Sequence, residues 1–257
     1  MGSVGPFDFT VCIGGGNFGT RAATTSKLHG AVTLVIDPRQ NCAASAVATR
    51  TIKRLDEIDF GLGGVVQYLQ GDGLDIIADV VAHRCPDIVV PASPGHLMAK
   101  AAIRLLSRRT LGAIPWGGGC DRMADRLDDD IILIADRDDG IIVTSFMDEG
   151  TMCMDVCPQP ELCPVTGRTH PAPMYKLVDD AMASSCGEAF LMRSFLLSDT
   201  AGVGGIEGSD VKAFLGVMRS MKEGTRFAVA TSCSCHAVIN AMEVTALGDG
   251  RSTAPLQ

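Results

Sequence analysis

The sequence predicts an α/β protein: a doubly wound parallel, Rossmann-like sheet followed by a smaller α/β domain rich in cysteine. Three observations carry this. The hexapeptide Gly14-Gly15-Gly16-Asn17-Phe18-Gly19 stands between an apolar run, residues 7–13, and a helix-like stretch. Apolar runs of strand length then alternate with stretches of helical spacing as far as about residue 115. Beyond that point three cysteines, Cys153, Cys157 and Cys163, fall within eleven residues. Two of them precede proline, which excludes a regular helix or central strand and leaves a stiff loop.

Residues 7–13 (FDFTVCI) read as the first strand, 20–29 as a helix closed by Gly30, and 31–36 (AVTLVI) as the second strand. Glycines between them let the backbone approach a pyrophosphate at the positive end of the helix. Gly14, Gly16, Asn17, Phe18 and Gly19 are therefore candidate nucleotide contacts. Asp37 stands at the end of the second strand, eighteen residues after Gly19, where a carboxylate can accept both ribose hydroxyls. NAD(H) is favoured over NADP(H), although Arg39 is the group that would instead hold a 2′-phosphate. Residues 65–69 read as a third strand, 74–84 as a helix and 87–91 as a fourth strand. Ser93-Pro94-Gly95-His96 opens a further helix, and 111–115 is a fifth strand. This alternation predicts a parallel sheet, with residues 1–116 as a dinucleotide-binding domain.

The first part resembles the nucleotide-binding lobe of potassium-uptake regulators of the TrkA-N or RCK type. The resemblance lies in Gly14, Gly16, Gly19, Asp37, the Gly71-Asp72 pair and Asp87-Ile88-Val89-Val90, and covers less than half the chain. It implies NAD(H) bound across the strand ends, with Asp72 among the contacts.

Glycine density at Trp116-Gly117-Gly118-Gly119 marks the start of a second domain, residues 117–247. Residues 121–130 are acidic and helix-like, and 131–135 and 140–146 read as strands joined by a solvated hairpin at Asp136-Arg137-Asp138-Asp139. After the cysteine loop, 174–184 is a helix, and 189–197 is apolar without a decisive period. A helix capped by Ser209 or Asp210 reaches Lys222, with Val211, Phe214, Leu215 and Met218 on one face. A buried strand, 227–231, delivers Cys233, Cys235 and His236 to the start of a last helix, 237–244. Residues 248–257 have the composition of a flexible tail.

Three thiolates in a stiff loop are one short of the four that an iron–sulfur cluster or a structural zinc takes. Cys235 is the preferred fourth ligand, because a helix start would lower its thiol pKa, and Cys233 stands close behind. Cys-Pro after a ligand is a feature of bacterial ferredoxins, which tilts the choice toward a four-iron cluster over zinc. Met147, Met152 and Met154 would shield such a group, whereas Cys12, Cys42 and Cys85 read as small buried hydrophobes. His96, near the expected nucleotide crevice, and His170, Arg168 and His236, near the cysteines, are the candidates for catalysis.

Composition narrows the function classes. A net charge of −8 disfavours nucleic acid and anionic membranes as partners. No apolar run approaches the roughly 20 residues of a spanning helix, and the N-terminus lacks a signal peptide's pattern. A cytoplasmic protein is expected, its ten cysteines reduced or metal-bound. The partners would be a nicotinamide nucleotide with either a small-molecule substrate or a redox partner protein, and a homo-oligomer is compatible. The expected function is an NAD(H)-binding iron–sulfur redox protein, an NAD(P)-dependent oxidoreductase if it is an enzyme. Hydride arrives as two electrons and a cluster takes one, which keeps two alternatives open. One is a redox- or nucleotide-sensing regulator, the other an NAD-dependent dehydrogenase with structural zinc.

Overall fold

The computed structural model describes residues 7–147, 150–151, 153–154, 156–198 and 202–247, so the expected tail, 248–257, and Met152 lie outside the described residues. In chain order the elements are β1 (Phe9–Ile13), α1 (Asn17–Leu28), β2 (Val32–Asp37), β3 (Arg50–Ile52), β4 (Val66–Gln70), α2 (Gly73–His83), β5 (Ile88–Pro91), α3 (Leu97–Ser107) and β6 (Leu111–Pro115). There follow α4 (Gly117–Ala124), β7 (Ile132–Asp136), β8 (Ile141–Ser145), α5 (Met174–Ala183), β9 (Glu188–Leu196), β10 (Gly204–Glu207), α6 (Gly208–Met218), β11 (Arg226–Ser232) and β12 (His236–Ala246). The class is mixed α/β. No helix among the described residues is long and apolar enough to cross a membrane. Two compact units form, residues 1–97 with 194–215 and residues 98–193 with 216–257, where the glycines had suggested a boundary near residue 116.

In the first unit, β3, β4, β2, β1 and β5 lie side by side in parallel. β1 and β2 are buried along their whole length, which is why they read as unbroken apolar runs instead of alternating ones. β10 then pairs antiparallel with β5 and with residues 194–196 of β9. The Asp87 carboxylate accepts the N–H groups of Asp8 (2.8 Å) and Phe9 (2.9 Å), stapling the start of β1 to the start of β5. Asp72 caps α2 by accepting the Leu74 N–H at 2.9 Å.

The second unit is built around β12. Along one side it pairs antiparallel with β11, and along the other with β8 and then β6. β7 extends β8 as a hairpin whose turn is held by Asp136 Oδ1, which accepts the N–H groups of Asp138 and Asp139. Residues 188–193 of β9 run parallel to β11. Trp116, Cys120, Met123, Phe146, Met174, Met182 and Ile239 fill the core. The glycines read as a boundary are in fact the first turn of α4, because a side chain at Gly119 would collide with the Trp116 ring, its Cβ only 2.2 Å from Trp116 Cε3.

Two expectations fail here. The chain does not build an uninterrupted doubly wound parallel sheet with a small cysteine-rich domain appended. Residues 111–115, expected as the fifth parallel strand, form β6 and pair antiparallel with β12, which offers eleven residues of ladder to a short strand buried at Gly112 and Ala113 alone. The expected last helix, 237–244, is the middle of β12. Val238, Ile239, Val244 and Thr245 suit a strand, and cross-strand partners on both sides outweigh the helix propensity of the Ala and Met between them.

The Asp87 staple joins segments 78 residues apart and is the cheapest test of the first unit. Asp87→Ala is expected to destabilise the protein by about 1–2 kcal/mol in urea unfolding, since a partly buried N–H is left unpaired. Asp8→Ala, at an exposed position, is expected to stay within about 0.5 kcal/mol of wild type.

Candidate functional site

β11 and β12 form a hairpin whose turn, residues 233–235, carries two cysteines. The Cys233 N–H donates to the His236 carbonyl at 3.0 Å, and the Cys235 N–H donates to Cys233 Sγ at 3.4 Å. Two other segments are tied to this turn. The Phe146 N–H, just after β8, donates to the Cys235 carbonyl at 3.1 Å, and the Met174 N–H, at the start of α5, donates to the Ser234 carbonyl at 2.9 Å. The cysteine loop therefore leaves and re-enters the sheet at the same place.

Within the loop, residues 161–170 double back on themselves. Leu162 bridges Thr169, the Cys163 N–H donates to the Arg168 carbonyl at 2.8 Å, and the Gly167 N–H donates to the Cys163 carbonyl at 2.9 Å. Gly167 has φ +67°, a left-handed conformation that glycine adopts without strain. This tight turn aims the Thr166 hydroxyl and the N–H groups of Thr166 and Val165 at the Cys163 sulfur, and they hold that thiol below its ordinary pKa.

Cys153, Cys157, Cys163 and Cys235 line a single pocket, with His170 and His236 beside them and Phe146, Met147, Pro160 and Pro164 as apolar wall. Cys153 is exposed, Cys157 half-buried, and Cys163 and Cys235 buried. Burial, then the neighbouring Cys233, Cys157, Cys153 and Cys163, push the Cys235 thiol up to about 12. Burial and the adjacent Cys157 raise Cys153 as well. Among the described residues no three ligand side chains stand close enough to grip one metal ion. The His170 ring stacks on Phe146, with centroids 4.1 Å apart and planes 15° apart, and its Nε2 is buried with no hydrogen-bond partner among the described residues. Burial lowers the pKa of His170, and burial with His170 nearby lowers that of His236, so both imidazoles are neutral at pH 7.

Cys233, the alternative fourth ligand, is not part of the pocket wall; its Sγ lies 3.8 Å from His236 Nδ1. The expected reason for choosing Cys235 fails, because it closes a hairpin turn and leads into β12, and so does not open a helix of its own. Met147 shields the pocket, its sulfur 3.8 Å from Cys163 Sγ, while Met154 is half exposed to solvent. Arg168 is exposed and contributes its carbonyl to the loop hairpin. Thr166 and Gln159 were not singled out from sequence, and their only signal is position, one inside Cys-Pro-x-Thr-Gly and the other between two prolines.

In the first unit the glycine loop turns tightly after β1. Gly14 has φ +107°, and a Cβ there would sit 2.6 Å from the Ala92 carbonyl oxygen; Gly16 faces open space. α1 begins without a side-chain cap and without an acidic residue in its first turn, and Phe18 is exposed beside it. His96 is half-buried just ahead of α3. Asp37 is buried, and its carboxylate accepts the Gly15 N–H (2.7 Å), the Arg39 N–H (2.8 Å) and the Arg39 guanidinium (3.1 Å). Cys42 and Ala44 pack against the same loop, with the Ala44 N–H donating to the Gly15 carbonyl at 2.9 Å.

Fold and site thus define a two-unit α/β protein with a cysteine-lined pocket in its second unit. The chain belongs to the AF_1314_C family, described as "Uncharacterized protein, C-terminal domain", which it matches over residues 107–245, a stretch that contains the four pocket cysteines and Cys233. An uncharacterized protein of Archaeoglobus fulgidus is 28% identical over 233 residues, covering 91% of this chain and 98% of the relative. No solved structure matches. These findings overturn the resemblance to TrkA-N or RCK regulators: the family shown is a different one and lies in the other half of the chain. The acidic residues that carried the resemblance have local tasks. Asp72 caps a helix, Asp87 staples two strands and Asp37 ties the glycine loop to β2.

Asp37 makes a test in solution. Burial alone would raise its carboxyl, but the hydrogen bonds from Arg39 and the Gly15 N–H outweigh burial and hold it below the ordinary carboxylate range. A folded pKa below the ~3.9 of the unfolded chain gives stabilisation that is complete above that pH and disappears as the pH falls through the folded value. Asp37→Asn is expected to lose about 1–3 kcal/mol at pH 7, a gap that narrows in urea unfolding at pH 3. A gap unchanged between the two would contradict the assignment.

Proposed function

We propose that this chain is an NAD(H)-binding iron–sulfur redox protein, an oxidoreductase whose second unit holds one four-iron cluster on Cys153, Cys157, Cys163 and Cys235. The observation that carries this reading is the convergence of four thiols, three from a loop and one from a hairpin some seventy residues on, upon one pocket. Four cysteine thiolates are the donor set of such a cluster.

The surroundings fit the group in three further respects. The wall is apolar, which protects sulfide from water. Hydrogen-bond donors from Thr166 and Val165 already point at the Cys163 sulfur, as they would at a thiolate bound to iron. The orphaned Nε2 of His170 is a buried polar atom that calls for a partner, and a cluster sulfide would supply it. When bound, the cluster provides one-electron transfer. The chain's own contribution is to hold the ligands, exclude water through Phe146 and Met147, and fix His170 by stacking.

The nucleotide half of the proposal rests on the glycine loop. The uncapped N–H groups at the start of α1, with no carboxylate in its first turn, favour a pyrophosphate over Gly16. Phe18 is exposed in the first turn of α1, and Asp37, paired with Arg39 at the end of β2, is the group that would meet the ribose end.

Protein purified without oxygen is expected to be brown and to contain matching iron and acid-labile sulfide. Alanine at Cys153, Cys157, Cys163 or Cys235 should remove most of the colour, while Cys233→Ala and Cys42→Ala retain it. Colourless protein with stoichiometric zinc would replace the cluster by a structural metal, and protein without either metal would end both readings. Separately, Gly16→Val should fold normally, because space is free at that position, yet lose NADH binding in calorimetry. Binding of NADH unaltered by Gly16→Val, or no binding of NADH or NADPH to wild type, would remove the nucleotide half alone.

A further inference from the structure

We propose that Gln159 is the positioning residue that locks the cysteine loop onto the hairpin turn and thereby sets the geometry of the ligand set; this rests on the cluster reading above. Gln159 lies between Pro158 and Pro160, inside the segment that separates Cys157 from Cys163. Its φ is +55°, a left-handed conformation that side chains avoid, and the residue before a proline is additionally biased toward extended backbone. Among the described residues Thr110 is the one other non-glycine residue with positive φ, and it lies in a surface turn away from the cysteines.

Such a conformation persists only where its surroundings hold it. Two contacts do so here. The Gln159 N–H donates to Cys157 Sγ at 3.4 Å, and Gln159 Oε1 accepts the Ser234 N–H at 3.2 Å. Ser234 is buried between Cys233 and Cys235, in a turn where the sheet ladder has ended, and its N–H is given to this acceptor instead of to a neighbouring strand. One half-buried side chain thus spans 75 residues of sequence, joining a ligand of the loop to the turn that presents the ligand of the hairpin. The two prolines fix their own φ and so restrict how the chain enters and leaves Gln159, and in this left-handed turn its amide meets Ser234. Its strain and its clamp are one device: the left-handed backbone turns the N–H to Cys157 and the side chain to Ser234 at once.

The test compares wild type with Gln159→Ala, Gln159→Gly and Gln159→Glu, all prepared anaerobically. Three readouts are taken: the rate of iron loss to excess chelator, the midpoint potential of the bound cluster, and hydrogen exchange at the Ser234 amide in metal-free protein. Gln159→Ala and Gln159→Gly are expected to release iron about 10-fold faster, in line with the roughly 10-fold or greater loss of affinity when a group behind a metal ligand is removed. Both should shift the potential and speed exchange at Ser234. Gln159→Glu keeps an acceptor oxygen at the same reach and should restore the wild-type rate. Gln159→Gly relieves the backbone without supplying the side chain, so a wild-type rate in that variant would overturn the proposal. Equal rates in Gln159→Ala and wild type, or a Gln159→Glu as fast as Gln159→Ala, would also overturn it while leaving the cluster in place. Wild-type protein without any cluster would end this proposal and the reading beneath it together.

Discussion

The turn between β11 and β12 is where the loop, the fourth thiol and the sheet meet. Its carbonyls take the N–H groups of Phe146 and Met174, and its Ser234 N–H is taken by Gln159, so both ends and the middle of the cysteine segment are moored to two adjacent residues, Ser234 and Cys235. The loop has little to hold it otherwise. Among its described residues there is one isolated bridge, and Met154, Leu162 and Val165 are exposed, so these side chains contribute little burial to offset the entropy of ordering the loop. The turn can bear this because β12 is laddered along both edges, to β11 on one and to β8 and β6 on the other.

That arrangement also decides the electrostatics. Thiols brought together from loop and hairpin are partly desolvated and repel one another when ionised, so Cys153 and Cys235 are held protonated well above neutral pH. Cys163 departs in the opposite direction because its turn supplies three donors to its sulfur. A pocket in which one thiol is eased toward ionisation and two are held back is stabilised by a cationic group that displaces their protons. The apolar wall sharpens the effect, since Phe146, Met147, Pro160 and Pro164 offer the anions no side-chain hydrogen-bond donor. Asp37 in the first unit shows the same logic resolved within the chain, its charge answered by Arg39 and a backbone N–H.

The part of the site that proline and cysteine spacing encode was legible in the sequence. Cys153, Cys157 and Cys163 sit in a loop, and Cys235 joins them. The reason given for Cys235 was mistaken, however. Ala237, Ala241 and Met242 are good helix formers and draw residues 237–244 toward a helix on sequence alone, and only the ladder to β11 and β8 reveals the period of two. The local alternation of strand and helix up to Arg109 was equally visible, but the partner of β6 was not. Antiparallel pairing with a strand some 130 residues later leaves no local trace in the five residues of β6. The acidic residues lent the mistaken family resemblance its weight for a related reason. Asp37, Asp72 and Asp87 stand where a nucleotide-binding motif would place them, yet a carboxylate that caps a helix or staples a strand has the same one-letter code. Gln159 and Thr166 could not be singled out at all, since their roles exist only once the loop has closed on the turn.

The central claim is that four thiolates from two distant segments share one polynuclear group, and X-ray absorption at the iron and zinc edges of anaerobically purified protein tests it most directly. The account predicts iron bound by sulfur with a short iron–iron vector, lost when Cys235 is replaced by alanine and kept when Cys233 is. Zinc bound by sulfur with no metal–metal vector, or an iron signal indifferent to Cys235, would contradict it.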